Sequence, residues 1–297
     1  MHHVIETKGG KHRVAILWDS VTEPERIAET LSLEANKEHA KVTAKGDRFR
    51  DNGDRQNQSW LGASVDTLNQ RLVEGWPEGV RKLEELSTRE INPVSIRRRR
   101  NRGDQGDELD MQAVWRGDLS RAWTKTRRQS RAGGFRTVTL ICNLSDSCGV
   151  SASELYWRGA AVLKLADALT AAGYGVGIYG SVNVRECSAD STVSQCQFVE
   201  IKATDSPLDL SQLASLTAMP GWFRTRGFAG IIAACDLAGK KYCSSLGRPE
   251  HDNIGSYAEM LGLTNAFIQG KINNKASAEK WIDEVMAKVE TPELEAA

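Results

Sequence analysis

Long apolar runs, close cysteine pairs and obvious secretion signals are missing from this chain of 297 residues. No apolar stretch approaches the roughly 18 residues that a membrane-spanning helix needs, and the opening MHHVIETKGGKHR does not resemble a signal peptide. The six cysteines are scattered, and none shows the C-x2-C spacing of a structural zinc site. We therefore expect reduced thiols, a cytoplasmic location and no membrane partner.

Motifs for nucleotide-dependent or hydrolytic chemistry are also missing. No G-x-x-x-x-G-K-[ST] loop occurs, and the glycines of 173–177 precede an expected strand, whereas a dinucleotide fingerprint follows one. His251 lies in an acidic loop of the C-terminal part, but no Ser or Cys stands at a strand-turn-helix elbow beside it. We expect a protein that is not an enzyme and that has no cofactor.

Charge is distributed unevenly along a chain whose formal net charge is zero. Residues 87–136 contain thirteen basic and six acidic side chains, so this segment carries +7 between two mildly acidic flanks. Three parts follow: a helical N-terminal portion over 1–86, a basic Trp/Arg-rich connecting segment over 87–136, and an α/β domain over 137–297. In the first part we expect helices over 23–38, 64–73 and 77–86, with an exposed loop over 41–59.

The C-terminal part has the alternation of strands and helices that is typical of an α/β fold. The β-branched run TVTLICNL at 137–144 predicts a buried strand, and 153–172 predicts a helix that ends at Gly173. Further strands are expected over 175–184, 196–203 and 265–272, and a last helix over 277–289. The apolar run FAGIIAAC at 228–235 fits either a strand or a buried helix. We expect a Rossmann-like three-layer sheet with helices on both faces.

The run TVTLICNLSDS, followed by a helix and the strand AGYGVGIYG, resembles a von Willebrand factor A-type domain. Members of that family bind a metal ion through Asp, Ser and Ser at alternate positions after the first strand. The corresponding positions here are Asn143, Ser145 and Ser147, so a neutral amide replaces the carboxylate. The resemblance implies a degenerate metal-dependent site with Mg²⁺ as the alternative to no cofactor, and Asp236 is the one later carboxylate in a comparable turn. Hydroxyl hydrogen bonds within a metal-free loop are the other interpretation.

A second resemblance covers about residues 95–185. The acidic turn GDELD at 106–110, the basic stretch with its tryptophans, a strand and the helix start YWRGAA at 156–161 are similar to uncharacterised bacteriophage proteins with a degenerate A-type domain. This similarity implies a phage accessory protein in the host cytoplasm. It implies no catalytic residues. Arg158 in this helix is expected either to bind a phosphate or to pair with Asp146 or Glu154.

The basic segment is the main reason to expect a nucleic-acid partner. It combines positive charges that neutralise phosphates with flat rings on which unpaired bases can stack. The candidate residues are Arg97, Arg98, Arg99, Arg100, Arg102, Trp115, Trp123, Arg127 and Arg128. The competing interpretation is a solvated charged face whose tryptophans anchor it to the core. We expect a single-stranded nucleic-acid-binding cofactor of phage transcription or replication, with a phage polymerase or replication protein as its partner. The alternative is an A-type protein-interaction module that uses the loop at Asn143.

Overall fold

The computed structural model describes residues 1–49, 59–89, 97–103, 105–106, 108–129 and 136–290, with only the backbone described for 48, 97–102 and 124–129. Its centre is a mixed sheet in the order β1-β2-β8-β7-β6-β10, with β9 paired to β7. β2 and β8 are parallel, as are β10, β6 and β7, whereas β7 and β8 are antiparallel. The strands of this sheet are β1 His2–Lys8, β2 Lys11–Trp18, β6 Thr137–Asn143, β7 Gly175–Arg185, β8 Val193–Lys202, β9 Arg248–Pro249 and β10 Ala266–Ile268. The chain therefore has an α/β fold.

Helices cover the two faces of the sheet unequally. Alternate side chains of β2 point to opposite faces of the sheet. Val14 and Ile16 belong to the large core on one face, while Ala15 belongs to a smaller cluster with Ile254 and Tyr257 on the other. The helices are α1 Glu23–Ala28, α2 Glu34–Lys45, α3 Val65–Glu74, α4 Pro77–Arg81, α5 Met111–Trp115, α6 Ala152–Ala171, α7 Leu210–Thr217, α8 Phe228–Leu237, α9 Ile254–Met260 and α10 Lys275–Glu290. Of these, α2, α6, α8 and α10 contribute to the large core, and α9 covers the opposite face.

The expected helical N-terminal portion is wrong for residues 2–18, which form an antiparallel hairpin and supply two strands of the central sheet. Gly9 and Gly10 form its two-residue turn, both with positive φ, which only glycine adopts readily. The remainder of 1–86 packs on the same core through residues such as Ala40 and Leu86. The first eighteen residues are thus part of the α/β sheet and not of a separate helical unit.

Several elements expected from the sequence are confirmed. The strands over 137–144, 175–184 and 196–203 correspond to β6, β7 and β8, and the helix over 153–172 corresponds to α6. The apolar run at 228–235 is helical, as α8. The single helix expected over 23–38 is two helices, and residues 41–45 are the last part of α2 and not a loop. Residues 50–58 of that expected loop lie outside the described residues.

Residues 97–129 form a second, three-stranded antiparallel sheet in the order β3-β5-β4, which the sequence patterns did not predict. Its strands are β3 Arg97–Gly103, β4 Glu108–Leu109 and β5 Trp123–Gln129. The short helix α5 follows β4 and is capped by Asp110, whose carboxylate accepts from the backbone N–H groups of Gln112 and Ala113 at 3.0 and 3.3 Å. All three strands of this sheet therefore lie within the expected connecting segment 87–136.

Candidate functional site

The loop that follows β6 is held by a closed set of hydrogen bonds. Asn143 Oδ1 accepts from the backbone N–H of Ser145 at 3.1 Å and from its hydroxyl at 2.9 Å. The Ser145 hydroxyl oxygen accepts in turn from the backbone N–H of Asn183 at 2.8 Å. Asn143 and Ser145 are both fully buried, whereas Ser147 is exposed. These bonds join the end of β6 to the neighbouring strand β7.

Arg158 lies fully buried beneath this loop, with all five of its N–H groups matched by oxygen acceptors. Its Nε donates to the Ile272 carbonyl at 2.9 Å, and its Nη1 donates to the carbonyls of Ser145 at 2.6 Å and Asn143 at 3.4 Å. Its Nη2 donates to the Asp146 carboxylate and to Asn273 Oδ1. Burial lowers the pKa of Arg158 and the Asp146 carboxylate opposes that effect. The pairing with Asp146 that the sequence suggested is confirmed.

His251 contacts the same loop from the other side. Asn143 Nδ2 lies 3.1 Å from His251 Nδ1, and because Asn143 Oδ1 is already an acceptor for Ser145, the amide must donate to the ring. Nδ1 is therefore unprotonated, and the neutral ring carries its proton on Nε2, which lies 3.9 Å from Asp146 Oδ1. Burial and the neighbouring Arg158 lower the pKa of His251. This histidine acts as a neutral acceptor that fixes the Asn143 amide.

The proposed cation site does not fit these contacts. The oxygens of Asn143, Ser145 and Asp146 are already occupied as hydrogen-bond acceptors, and the guanidinium of Arg158 supplies the positive charge among them. Nor do the described residues contain a group of three or more His, Cys, Asp or Glu side chains that could hold a metal ion. The positive charge at this loop is therefore the guanidinium of Arg158.

Asp236, the fourth residue of the metal hypothesis, is engaged elsewhere. Its carboxylate accepts from the backbone N–H groups of Ser32 at 2.7 Å and Leu33 at 2.9 Å, and from Asn36 Nδ2 at 3.1 Å. It therefore stabilises the start of α2, because free N–H groups at a helix N-terminus bind a carboxylate well. The structure does not bring Asp236 into the hydrogen-bonded set around Asn143.

The candidate nucleic-acid residues come together on the second sheet. In the pairing of β3 with β5, Arg98 lies opposite Arg128 and Arg99 opposite Arg127. Arg97, Arg100 and Arg102 occupy other positions of β3. Trp115 at the end of α5 is 79% exposed, and Trp123, the first residue of β5, is half-buried. Two basic strands and an exposed indole are thus parts of one small unit.

Sequence patterns missed three residues that complete the buried loop. Asn183 donates its backbone N–H to Ser145, and its Nδ2 donates to the Asp252 carbonyl at 2.8 Å. Asn273 accepts from Arg158, and Gln269 Nε2 donates to the Arg158 carbonyl at 2.9 Å. All three are amides within or directly after expected strands. A polar residue inside an otherwise apolar strand was the one signal that marked Asn183 and Gln269.

These features define a mixed α/β protein with a buried arginine-centred loop and an appended basic sheet. A family model described as domain of unknown function (DUF7192) matches residues 11–290, and the chain belongs to that family. A comparison with curated proteins found no match, and a comparison with solved structures found none either. Among the described residues, no helix is long and apolar enough to span a membrane.

Proposed function

We propose that this protein binds single-stranded nucleic acid through its second sheet. The observation that carries the proposal is the pairing of β3 with β5, which aligns Arg98 and Arg99 with Arg128 and Arg127. The paired strands also contain Arg97, Arg100, Arg102 and Lys125. Cationic residues at paired positions of neighbouring strands attract a phosphate backbone and release its counterions.

The exposure of Trp115 favours single-stranded nucleic acid over a duplex as the ligand. The Trp115 side chain is the most exposed of the large hydrophobic residues described, and Leu109, Met111 and Leu119, which are near it in sequence, are exposed as well. A flat exposed ring provides a stacking surface for unpaired bases, and stacking of this kind tolerates any sequence. Bases within a duplex are already stacked on each other and have no free face to offer.

The resemblance to bacteriophage proteins supports the cellular setting that we propose. In that setting the chain is a non-enzymatic accessory factor of phage transcription or replication in the host cytoplasm, with a phage polymerase or replication protein as its partner. Nucleic-acid binding by the basic sheet would bring that partner to an exposed single strand. Neither the A-type likeness nor the phage origin is needed for the binding itself.

Fluorescence anisotropy with labelled single-stranded DNA and RNA at several salt concentrations tests the proposal. Four alanines in place of Arg97, Arg98, Arg99 and Arg100 are expected to weaken binding more than tenfold and to flatten the salt dependence by about 0.7 in log-log slope for each lost phosphate contact. Four lysines at the same positions keep the charge and should keep most of the affinity. Alanine at four exposed lysines in or just before α10 (Lys271, Lys275, Lys280 and Lys288) is the charge-matched control. Equal binding by the alanine variant and the wild type would refute the proposal.

A protein-interaction module of the A type is the second candidate. Its support is the loop after β6, where Ser147, Cys148 and Gly149 are exposed directly beyond the buried Asn143 and Ser145. A rigid base with an exposed tip suits recognition of a protein partner. Partner capture that fails with Ser147→Trp, persists in EDTA and is unaffected by the arginine variant would favour this function over nucleic-acid binding.

A further inference from the structure

One edge of the central sheet is β10, and only one side of its backbone is paired. Among the described residues, β10 pairs with β6 and with no other strand. Gln269, the residue after β10, donates its backbone N–H to the Ile141 carbonyl of β6 at 2.9 Å. Because the backbone groups of a strand point alternately to its two sides, those of Ala266 and Ile268 point away from β6. This edge therefore offers hydrogen-bonding groups to one further strand.

A groove of about 470 Å³ lies along this edge and is lined by residues of both β10 and α10. Its apolar residues are Phe267 of β10, Trp281 and Val285 of α10, and Ile272 between these elements. Phe267 is half-buried and packs against the large core, to which the other three belong. Phe267 is thus on the same face of the sheet as α10. A strand added to β10 would place every second side chain against this apolar surface.

The rim of the groove is positively charged. Lys271, Lys280 and Lys288 line the groove and are exposed. Glu284 is the one acidic residue among the lining residues described, and its carboxylate lies 3.8 Å from Lys280 Nζ. The lining therefore carries three positive charges and one negative charge. Acidic side chains are the electrostatic complement of such a rim.

The backbone and the charge of this groove together select its occupant. The free N–H and C=O groups of Ala266 and Ile268 match those of an extended segment, whereas the backbone groups of an α-helix are bonded within the helix itself. The rim favours an acidic occupant over a second copy of this chain. Two copies joined edge to edge at β10 would bring the same lysines together, and like charges at an interface are unfavourable.

We propose that this groove binds an extended acidic segment of a partner protein, which adds a strand to the sheet at β10. Backbone hydrogen bonds to Ala266 and Ile268 hold the segment, and its alternate apolar side chains lie against Phe267 and Trp281. Its carboxylates face the lysines of the rim. The proposal does not rest on the function of the basic sheet, because none of the groove residues belongs to 97–129.

A blocked octapeptide of alternating valine and glutamate, labelled at one end, is the probe and is titrated against the full chain by fluorescence anisotropy. We expect saturable binding with a Kd of about 10–100 μM. Lysine in place of every glutamate should weaken binding about tenfold or more, because the rim is positive. Serine in place of every valine should weaken it as well, because the groove is apolar. No saturable binding of the valine-glutamate peptide up to about 1 mM would overturn the proposal.

Two methylated forms of the peptide test the strand pairing without any change to the protein. One form carries N-methyl groups on its valines and the other on its glutamates, so each lacks the N–H groups of one side of the strand. Only one side of an added strand can pair with β10. One form should therefore bind like the unmodified peptide, and the other about tenfold or more weakly. Equal binding by the two forms would exclude strand addition and overturn the proposal.

Two variants locate the peptide on the protein. Alanine at Lys271, Lys275, Lys280 and Lys288 should weaken peptide binding about tenfold and leave the binding of single-stranded nucleic acid unchanged. The variant with four alanines in β3 is the charge-matched control and should leave peptide binding unchanged. If the β3 variant alone loses the peptide, the peptide binds the basic sheet and the proposal is refuted. Failure of the groove is thus distinguishable from failure of the proposed function.

Other occupants of the groove would give results of their own. A dimer of the full chain in sedimentation velocity that the peptide dissociates would identify a second copy as the occupant. Peptide binding that requires removal of residues 291–297 would identify the end of the chain itself. Either result would overturn the proposal of a partner protein.

Discussion

Arg158 and Asp146 form an ion pair inside the protein, with the arginine side chain fully buried and the carboxylate 4% exposed. The same guanidinium reaches the carbonyl of Ile272 and the amide oxygen of Asn273, so one side chain joins the loop after β6 to the segment before α10. Because every donor of the guanidinium has an acceptor, the pair avoids the penalty that an unmatched buried charge would impose.

Replacement of Arg158 by methionine is expected to destabilise the fold by about 3–5 kcal/mol, because it leaves the Asp146 carboxylate buried without its counter-charge. Arg158→Lys should rescue little, since an ammonium group cannot reach five separated oxygens. Urea denaturation gives the free energy of unfolding, and the exposed Lys280→Ala is the control. A loss below about 1 kcal/mol for Arg158→Met would contradict the central role of this pair.

Stability should fall as the pH drops below the ordinary His251 pKa of 6.5. Burial and Arg158 lower the pKa in the folded state, so the unfolded chain takes up a proton at a pH where the folded chain does not. Proton uptake by the unfolded state favours unfolding, and the effect increases until the pH passes the folded pKa. His251→Asn keeps an acceptor for Asn143 and should remove this part of the pH dependence. Urea unfolding between pH 5 and 8 measures the pH dependence of the free energy of unfolding, and His3→Gln, at an exposed histidine, is the comparison.

Alkylation should separate the six cysteines into two classes. Cys148 is exposed and Cys243 is half-buried, whereas Cys142, Cys187, Cys196 and Cys235 are buried. Burial also raises the pKa of Cys142 to about 12 and that of Cys196 well above its ordinary value, so little thiolate is present to react. Mass spectrometry after maleimide treatment should show modification at Cys148 first and Cys243 second. Modification of Cys142 in the folded protein would contradict the buried position of β6.

Trp115→Ala should separate nucleic-acid binding from folding. Because Trp115 is 79% exposed, its removal is expected to change stability by no more than about 0.5 kcal/mol. Loss of a stacked base should weaken binding to a single strand by about 1–3 kcal/mol. Anisotropy and thermal melting on the same sample measure the two effects. Trp123→Ala is less informative, because Trp123 is half-buried at the start of β5 and its loss would also disturb the sheet. Unchanged affinity in Trp115→Ala would remove this residue from the interface.

The sequence predicted the elements whose patterns are local. The β-branched run of β6 and the helix that ends before Gly173 were evident from the sequence. The reciprocal hydrogen bonds of Ser151 and Glu154 at the start of α6 came from the structure. The hairpin at residues 2–18 was missed although Gly9-Gly10 is a typical hairpin turn. Its second strand, β2, joins the sheet by pairing with β8, about 180 residues further along the chain. A local sequence pattern does not show which distant strand is the partner.

The candidate sites were also predicted in part from the sequence and decided in part by the tertiary structure. Composition alone established that residues 87–136 are strongly basic and contain two tryptophans, and the choice of residue types after β6 identified a polar loop at the end of a buried strand. Only the tertiary structure decided that the arginines of β3 lie opposite those of β5, that Arg158 donates to the loop oxygens, and that Asp236 binds the start of α2. Charge and hydropathy belong to residues one at a time, whereas hydrogen-bond partners depend on which distant segments the burial of apolar surface brings together.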